Sequence, residues 1–206
     1  MNKYSSHPAK TPPLGGWGAT LSGPFTQLLT MENLPERGKL SDNQLEIIPD
    51  AGILHQDGVI LEVGNFEQLR KENPGANIEF LEGDFVCLPG MIDVHTHICS
   101  AGSRANDYAM RLAGKTYLEI AEAGGGIWST VMKTREASVE ELAELTFERA
   151  EKLYQQGVTT IEVKSGYGLS VEQEFKMLKA IKLANEKSCA KLVPTCLAAH
   201  MKPKDF

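Results

Sequence analysis

One nine-residue segment, Pro89-Gly90-Met91-Ile92-Asp93-Val94-His95-Thr96-His97, holds the residue types best suited to metal chemistry. On an extended strand, side chains two apart point to the same face, so His95 and His97 project together. Neutral imidazoles placed in this way suit zinc or iron. Asp93 shares that face and is placed to orient a ligating ring from behind. With five histidines in 206 residues, chance supplies roughly 0.1 such pairs, so the spacing is moderately specific. The competing reading is two strand histidines that hydrogen-bond to neighbours.

The surrounding pattern predicts how the pair is carried. Phe85–Leu88 reads as an apolar strand entering a Pro89-Gly90 turn, and Met91–Ile98 as a second strand. Tyr108–Ala121 has helical composition. Gly124-Gly125-Gly126 follows it and reads as a helix end and loop, not a phosphate cradle. Capping boxes at Ser138-Val139-Glu140-Glu141 and Ser170-Val171-Glu172-Gln173 open two further helices. The first carries Leu142, Leu145, Ala150 and Leu153 and stops at Gly157; the second places Phe175, Leu178 and Ile181 on one stripe. Val158–Val163 and Leu192–Leu197 read as strands between them. Helices alternating with apolar strands predict βα units and a parallel sheet covered on both faces.

Before Asp84 the rhythm differs. Short runs at Phe25–Met31, Gln44–Ile48, Ala51–Leu54 and Val59–Val63 read as strands, with a hairpin turn at Gln56-Asp57-Gly58. Phe66–Lys71 is a short helix. The expected organisation is an irregular tail over 1–24, a small mainly β domain over 25–84, and an α/β domain over 85–206. A closed (β/α)₈ barrel needs at least about 200 residues, so the last segment is a small open sheet or the first part of a barrel.

Composition excludes several classes. With 21 basic and 27 acidic residues the net charge is −6, which weighs against a nucleic-acid partner. No apolar run reaches the about 20 residues of a membrane span, and the polar, Pro-rich start lacks the apolar core of a signal peptide. A cytoplasmic location is expected. Cys87, Cys99, Cys189 and Cys196 lack metal-site spacing and read as reduced, mostly buried thiols. Cys99, just beyond the histidine pair, either lines a site or packs as a small hydrophobe.

Several segments together resemble one family. Pro-Gly-Met-Ile-Asp-Val-His-Thr-His at the first strand of a βα domain, after a Gln-Asp-Gly-Val-Ile hairpin, resembles the amidohydrolase superfamily. Further matches narrow this to the imidazolonepropionases. They are Gly102-Ser103-Arg104, the run from Arg111 to Ile120, Gly124-Gly125-Gly126-Ile127, Thr130-Val131 with Thr134-Arg135, Glu162–Leu169, and Ala199-His200. The resemblance covers about residues 50–206.

It implies the first part of a (β/α)₈ barrel, preceded by part of a small β-sandwich domain. The implied reaction is hydrolysis of the cyclic amide C–N bond of 4-imidazolone-5-propanoate, giving N-formimidoyl-L-glutamate in histidine breakdown. It makes His95 and His97 two ligands of one Zn or Fe ion, and Arg104, Tyr117, Tyr167 and His200 contacts to the substrate. Arg104 has the donor fork that suits a propanoate carboxylate. Tyr167 lies in a loop leaving a strand, where barrel enzymes build their sites. Tyr117 lies in a helical run, where packing competes, and His200 ends a strand with no apolar stripe around it. Lys164 reads as structural or as a support behind the ligands.

A catalytic zinc takes about three protein ligands plus water. The remaining ligands and the group that moves protons are therefore expected beyond Phe206, and the catalytic residue is unknown from these residues. A homodimer is among the expected assemblies. The alternatives are another amidohydrolase acting on a cyclic amidine or amide, and a non-catalytic half-barrel that needs a partner chain.

Overall fold

The computed structural model describes residues 18–198 together with 201 and 202. The chain divides into two units, Met1–Pro89 and Gly90–Phe206.

In the first unit, β1 (Thr20–Leu29), β2 (Ile47–Gln56), β3 (Val59–Asn65), β4 (Asn77–Phe80) and β5 (Val86–Cys87) form one five-stranded sheet. The path is β3-β2-β1-β4. β1 pairs antiparallel with β2, and its other edge takes β4 and then β5 in parallel. Asp57-Gly58 makes the β2–β3 hairpin, with both residues at positive φ, as such a turn requires. α1 (Phe66–Glu72) is capped by the Asn65 side chain and buries Phe66 and Leu69 with Leu21 and Leu54. Two details differ from the sequence reading. β1 starts at Thr20 rather than Phe25, because a register shift between Ser22 and Phe25 lets the strand pass Gly23-Pro24. Val86–Cys87 joins the first unit's sheet through β1.

The second unit contains β6 (Met91–Thr96), α2 (Ala105–Leu112), α3 (Tyr117–Glu122), α4 (Gly126–Glu136), α5 (Val139–Tyr154), β7 (Val158–Lys164), α6 (Val171–Asn185) and β8 (Lys191–Thr195). β6, β7 and β8 form a parallel sheet in that order. The side chains of Ser138 and Ser170 cap α5 and α6. α5 and α6 pack on each other; their core with β7 and β8 includes Leu142, Ile161, Val163, Met177, Ile181 and Leu192. α6 turns a face of Met177, Ala180, Ile181 and Ala184 inward, whereas Phe175 is 68% exposed. The small alanines allow close packing there, so the stripe lies beside the one expected through Phe175. Among the described residues, one face of the sheet is left open at β6. On β6, Ile92 is 64% and Val94 74% exposed.

The Tyr108–Ala121 run is two helices, α2 and α3, separated at Gly114, which adopts φ +82°. All four cysteines are free thiols. Contrary to the expectation that most are buried, Cys189 and Cys196 are exposed and Cys87 is half-buried. Only Cys99 is fully enclosed. Among the described residues, no helix is long and apolar enough to cross a membrane.

Candidate functional site

The end of β6 is fastened to β7 by one threonine. Thr96 Oγ1 donates to the Glu162 carbonyl at 2.6 Å, and its N–H donates to Glu162 Oε2 at 3.3 Å. The β6–β7 register shifts between Asp93 and Thr96. Across this irregular stretch the His95 and His97 rings lie 5.5 Å apart between centroids, inclined by 64°. Two imidazoles bound to one zinc at about 2.0–2.1 Å in tetrahedral arrangement have centroids about 5 Å apart, so the pair fits a shared ion. Asp93 Oδ1 accepts the backbone N–H of His95 at 3.1 Å, which ties it to its own strand. Among the described residues, no group of three or more His, Cys, Asp or Glu side chains is placed to hold a metal.

Tyr167 stands against His97 with ring centroids 5.6 Å apart. It belongs to the loop Ser165–Leu169 that leaves β7. The two strand ends are therefore close enough for three predicted site residues, His95, His97 and Tyr167, to form one cluster. On β7, Glu162 and Lys164 share a face at i and i+2 and form an ion pair at 2.5 Å. Burial pushes the Glu162 carboxyl up, but the bonds from Lys164, Thr195 and the Thr96 N–H prevail and hold it below its usual value.

Both loops are pinned from the helices. Arg149 of α5 donates to Ile98 O at 2.5 Å and Ser100 O at 2.6 Å. Thr134 Oγ1 accepts the Ala101 N–H at 3.1 Å. Glu174 of α6 accepts the N–H groups of Gly166 and Leu169 at 2.8 and 2.7 Å. Cys99 lies beneath the first loop within the core, and burial pushes its thiol up to about 11. Of its two readings, the packed hydrophobe describes this environment.

Arg104 and Tyr117 gather elsewhere, around the start of α4. Arg104 Nε pairs with Asp107, and Asp107 Oδ2 accepts the Gly126 N–H at 2.8 Å. That N–H above all, with the Arg104 guanidinium, holds the buried Asp107 carboxyl below the usual carboxylate range. Gly125 is required here, since a Cβ would meet Asp107 Oδ1 at 2.4 Å. The glycines therefore begin α4 as well as following α3. Tyr117, 63% exposed, lines a cleft of about 220 Å³ with Ala121, Gly125, Gly126, Ile127 and Trp128. His200 lies outside the described residues.

Asp107, Arg149 and Glu174, which hold these segments, went unassigned in the sequence. The Arg104–Asp107 spacing of three was the one visible signal, as an ion pair at a helix start.

No family model matches the chain. It is 48% identical over 177 residues to the imidazolonepropionase of Idiomarina loihiensis, covering 85% of this chain and 43% of that protein. It is 42% identical over 182 residues to that of Symbiobacterium thermophilum, covering 87% and 43%. Escherichia coli guanine deaminase superposes with a TM-score of 0.57 at 15% identity, over 86% of this chain and 35% of that one. An atrazine chlorohydrolase variant of Arthrobacter aurescens, complexed with zinc and atraton, gives 0.51 at 16% identity, over 85% and 35%. These likenesses show a shared α/β fold. The chain spans less than half the length of the relatives it matches. Over most of its own residues it matches the imidazolonepropionases, in the manner of an N-terminal half.

Proposed function

We propose that this chain supplies part of the active site of a metal-dependent hydrolase. Its reaction opens the ring of 4-imidazolone-5-propanoate at the amide C–N bond, giving N-formimidoyl-L-glutamate. The observation that carries this reading is the cluster of His95, His97 and Tyr167 at adjacent parallel strand ends. The 48% identical imidazolonepropionase supports it, and the zinc complex of the Arthrobacter enzyme supports the ion. In this reading β6 to β8 begin a (β/α)₈ barrel, and the first unit's sheet, β1 to β5, is part of a β-sandwich. The protein is cytoplasmic, binds one Zn or Fe ion, and assembles as a homodimer.

His95 and His97 hold the ion together with ligands from outside these residues. Once bound, the ion supplies Lewis acidity and makes a water more acidic. Arg104 anchors the propanoate carboxylate. Asp107 occupies its Nε edge and fixes the guanidinium plane, which leaves the Nη donors for a bidentate clamp. Tyr167 covers the histidines and presents its hydroxyl to the ring substituents, while Tyr117 contacts the substrate from α3 and His200 is the remaining contact. The proton carrier lies outside these residues.

The test is turnover by the protein isolated from its source, followed by loss of imidazolone absorbance. The expected result is hydrolysis that Arg104→Ala weakens chiefly through KM; an Arg104→Ala protein with unchanged constants removes Arg104 from the site. The exposed Ile92 and Val94 on β6 favour a second reading, a segment that needs a partner to cover its sheet. Mass spectrometry of the isolated complex separates the two, since that reading requires a partner chain of different sequence.

A further inference from the structure

Glu174 is 4% exposed, an unusual setting for a carboxylate. It sits in the first turn of α6, yet it does not cap that helix. Ser170 does so, through the Gln173 N–H. The Glu174 carboxylate instead turns to the loop after β7, where Oε2 accepts the Gly166 N–H at 2.8 Å and Oε1 the Leu169 N–H at 2.7 Å. Tyr167 and Gly168 lie between those two amides.

The loop backbone needs such a staple. Leu169 adopts φ +55°, a left-handed conformation that a leucine rarely takes, and Gly166 adopts φ +111°. Gly168 lies so close to α6 that a Cβ would sit 2.6 Å from Gln173 C and Glu174 N. Its carbonyl accepts from Arg135 Nε at 2.7 Å. A neutral amide side chain cannot replace the carboxylate, because it has one acceptor oxygen and would turn its NH₂ toward the second N–H. Charge-assisted bonds to both amides hold the loop in one strained shape.

We infer that Glu174 is a positioning residue, whose buried carboxylate straddles Tyr167 and holds its ring against His97. This rests on the reading of His97 and Tyr167 as one site. The bonds that fix the loop come from the chain's own residues, which sets Tyr167 in place ahead of substrate.

The test is nuclear Overhauser spectroscopy on the labelled 206-residue chain. Wild type is expected to show a cross-peak between the Tyr167 and His97 rings. Glu174→Gln is expected to lose it, while the methyl signals of Ile181 and Leu192 stay in place. Leu142→Ala, which weakens the same core without touching the loop, keeps it. A cross-peak of full intensity in Glu174→Gln overturns the inference. If that variant does not fold, Glu174→Asp, which withdraws the oxygens by one carbon–carbon bond of about 1.5 Å, is judged by the same criterion. Adding Zn²⁺ to the metal-stripped protein isolated from its source, which carries the ligands outside these residues, tests the site reading separately. Unmoved His95 and His97 ring signals would remove the metal from the site, whereas the positioning role is decided by the cross-peak.

Discussion

After β6 the chain turns with carbonyl groups facing α5, and a cation, Arg149, donates to Ile98 O and Ser100 O. After β7 it turns with N–H groups facing α6, and an anion, Glu174, accepts from Gly166 and Leu169. The two loops carry the same cluster, His97 on one and Tyr167 on the other. Irregular backbone leaves polar groups that neither sheet nor helix satisfies. Each loop recruits one long charged side chain of the matching sign from the helix beside it. The grips differ in exposure: Glu174 is buried and Arg149 half-buried.

That difference orders the consequences of breaking each grip. Glu174→Ala strands two N–H groups in a buried place and is expected to destabilise the chain by about 3 kcal/mol in urea unfolding. Arg149→Met keeps the stem but removes the donors; because water can reach part of that loop, a loss of about 1–2 kcal/mol is expected. If the two losses proved equal, burial would not be what separates the loops.

Asp107 is a third grip, on the start of α4, and the lowering of its pKa makes that grip pH-dependent. The Gly126 N–H, foremost, keeps its folded pKa below its unfolded value of about 3.9. Its stabilisation is therefore complete above about pH 4 and is lost as pH falls through the folded pKa. Asp107→Asn is expected to be about 1 kcal/mol less stable than wild type at pH 7, with the gap closing below about pH 4. A gap that does not narrow at all in thermal melts below about pH 4 would dissociate Asp107 from that stabilisation.

The smallest effect reports on motion of the first loop. Cys99 Sγ lies 3.7 Å from Met177 O within the core, and its thiol is pushed up to about 11. At pH 8, a thiol reagent should label Cys189 and Cys196 at once and reach Cys99 only on unfolding. Rapid labelling of Cys99 in the folded chain would mean that the Arg149-gripped loop opens.

Much of this frame was legible in the residues. Asp57-Gly58 announced the hairpin, Ser138 and Ser170 the helix starts, and Gly157 the helix end, because each of these signals acts within a few residues. The histidine pair was legible because the two rings lie two residues apart at the end of one strand, His97 one residue beyond β6. Arg149 and Glu174 were not, since a charged residue on a helix ordinarily faces water and their partners lie 51 and eight residues away or nearer. Nothing local to Glu174 shows that a loop folds back over it. The α6 stripe was misplaced for a related reason. Phe175 is the larger apolar side chain, but close packing against α5 selects Ala180 and Ala184.

The most direct measurement is the metal content of the protein isolated from its source, beside its His95→Ala/His97→Ala variant. The paired rings at 5.5 Å predict that the wild-type protein retains about one equivalent of zinc or iron and that the variant loses it. A full equivalent of metal in the variant would contradict the assignment of this histidine pair as its ligands.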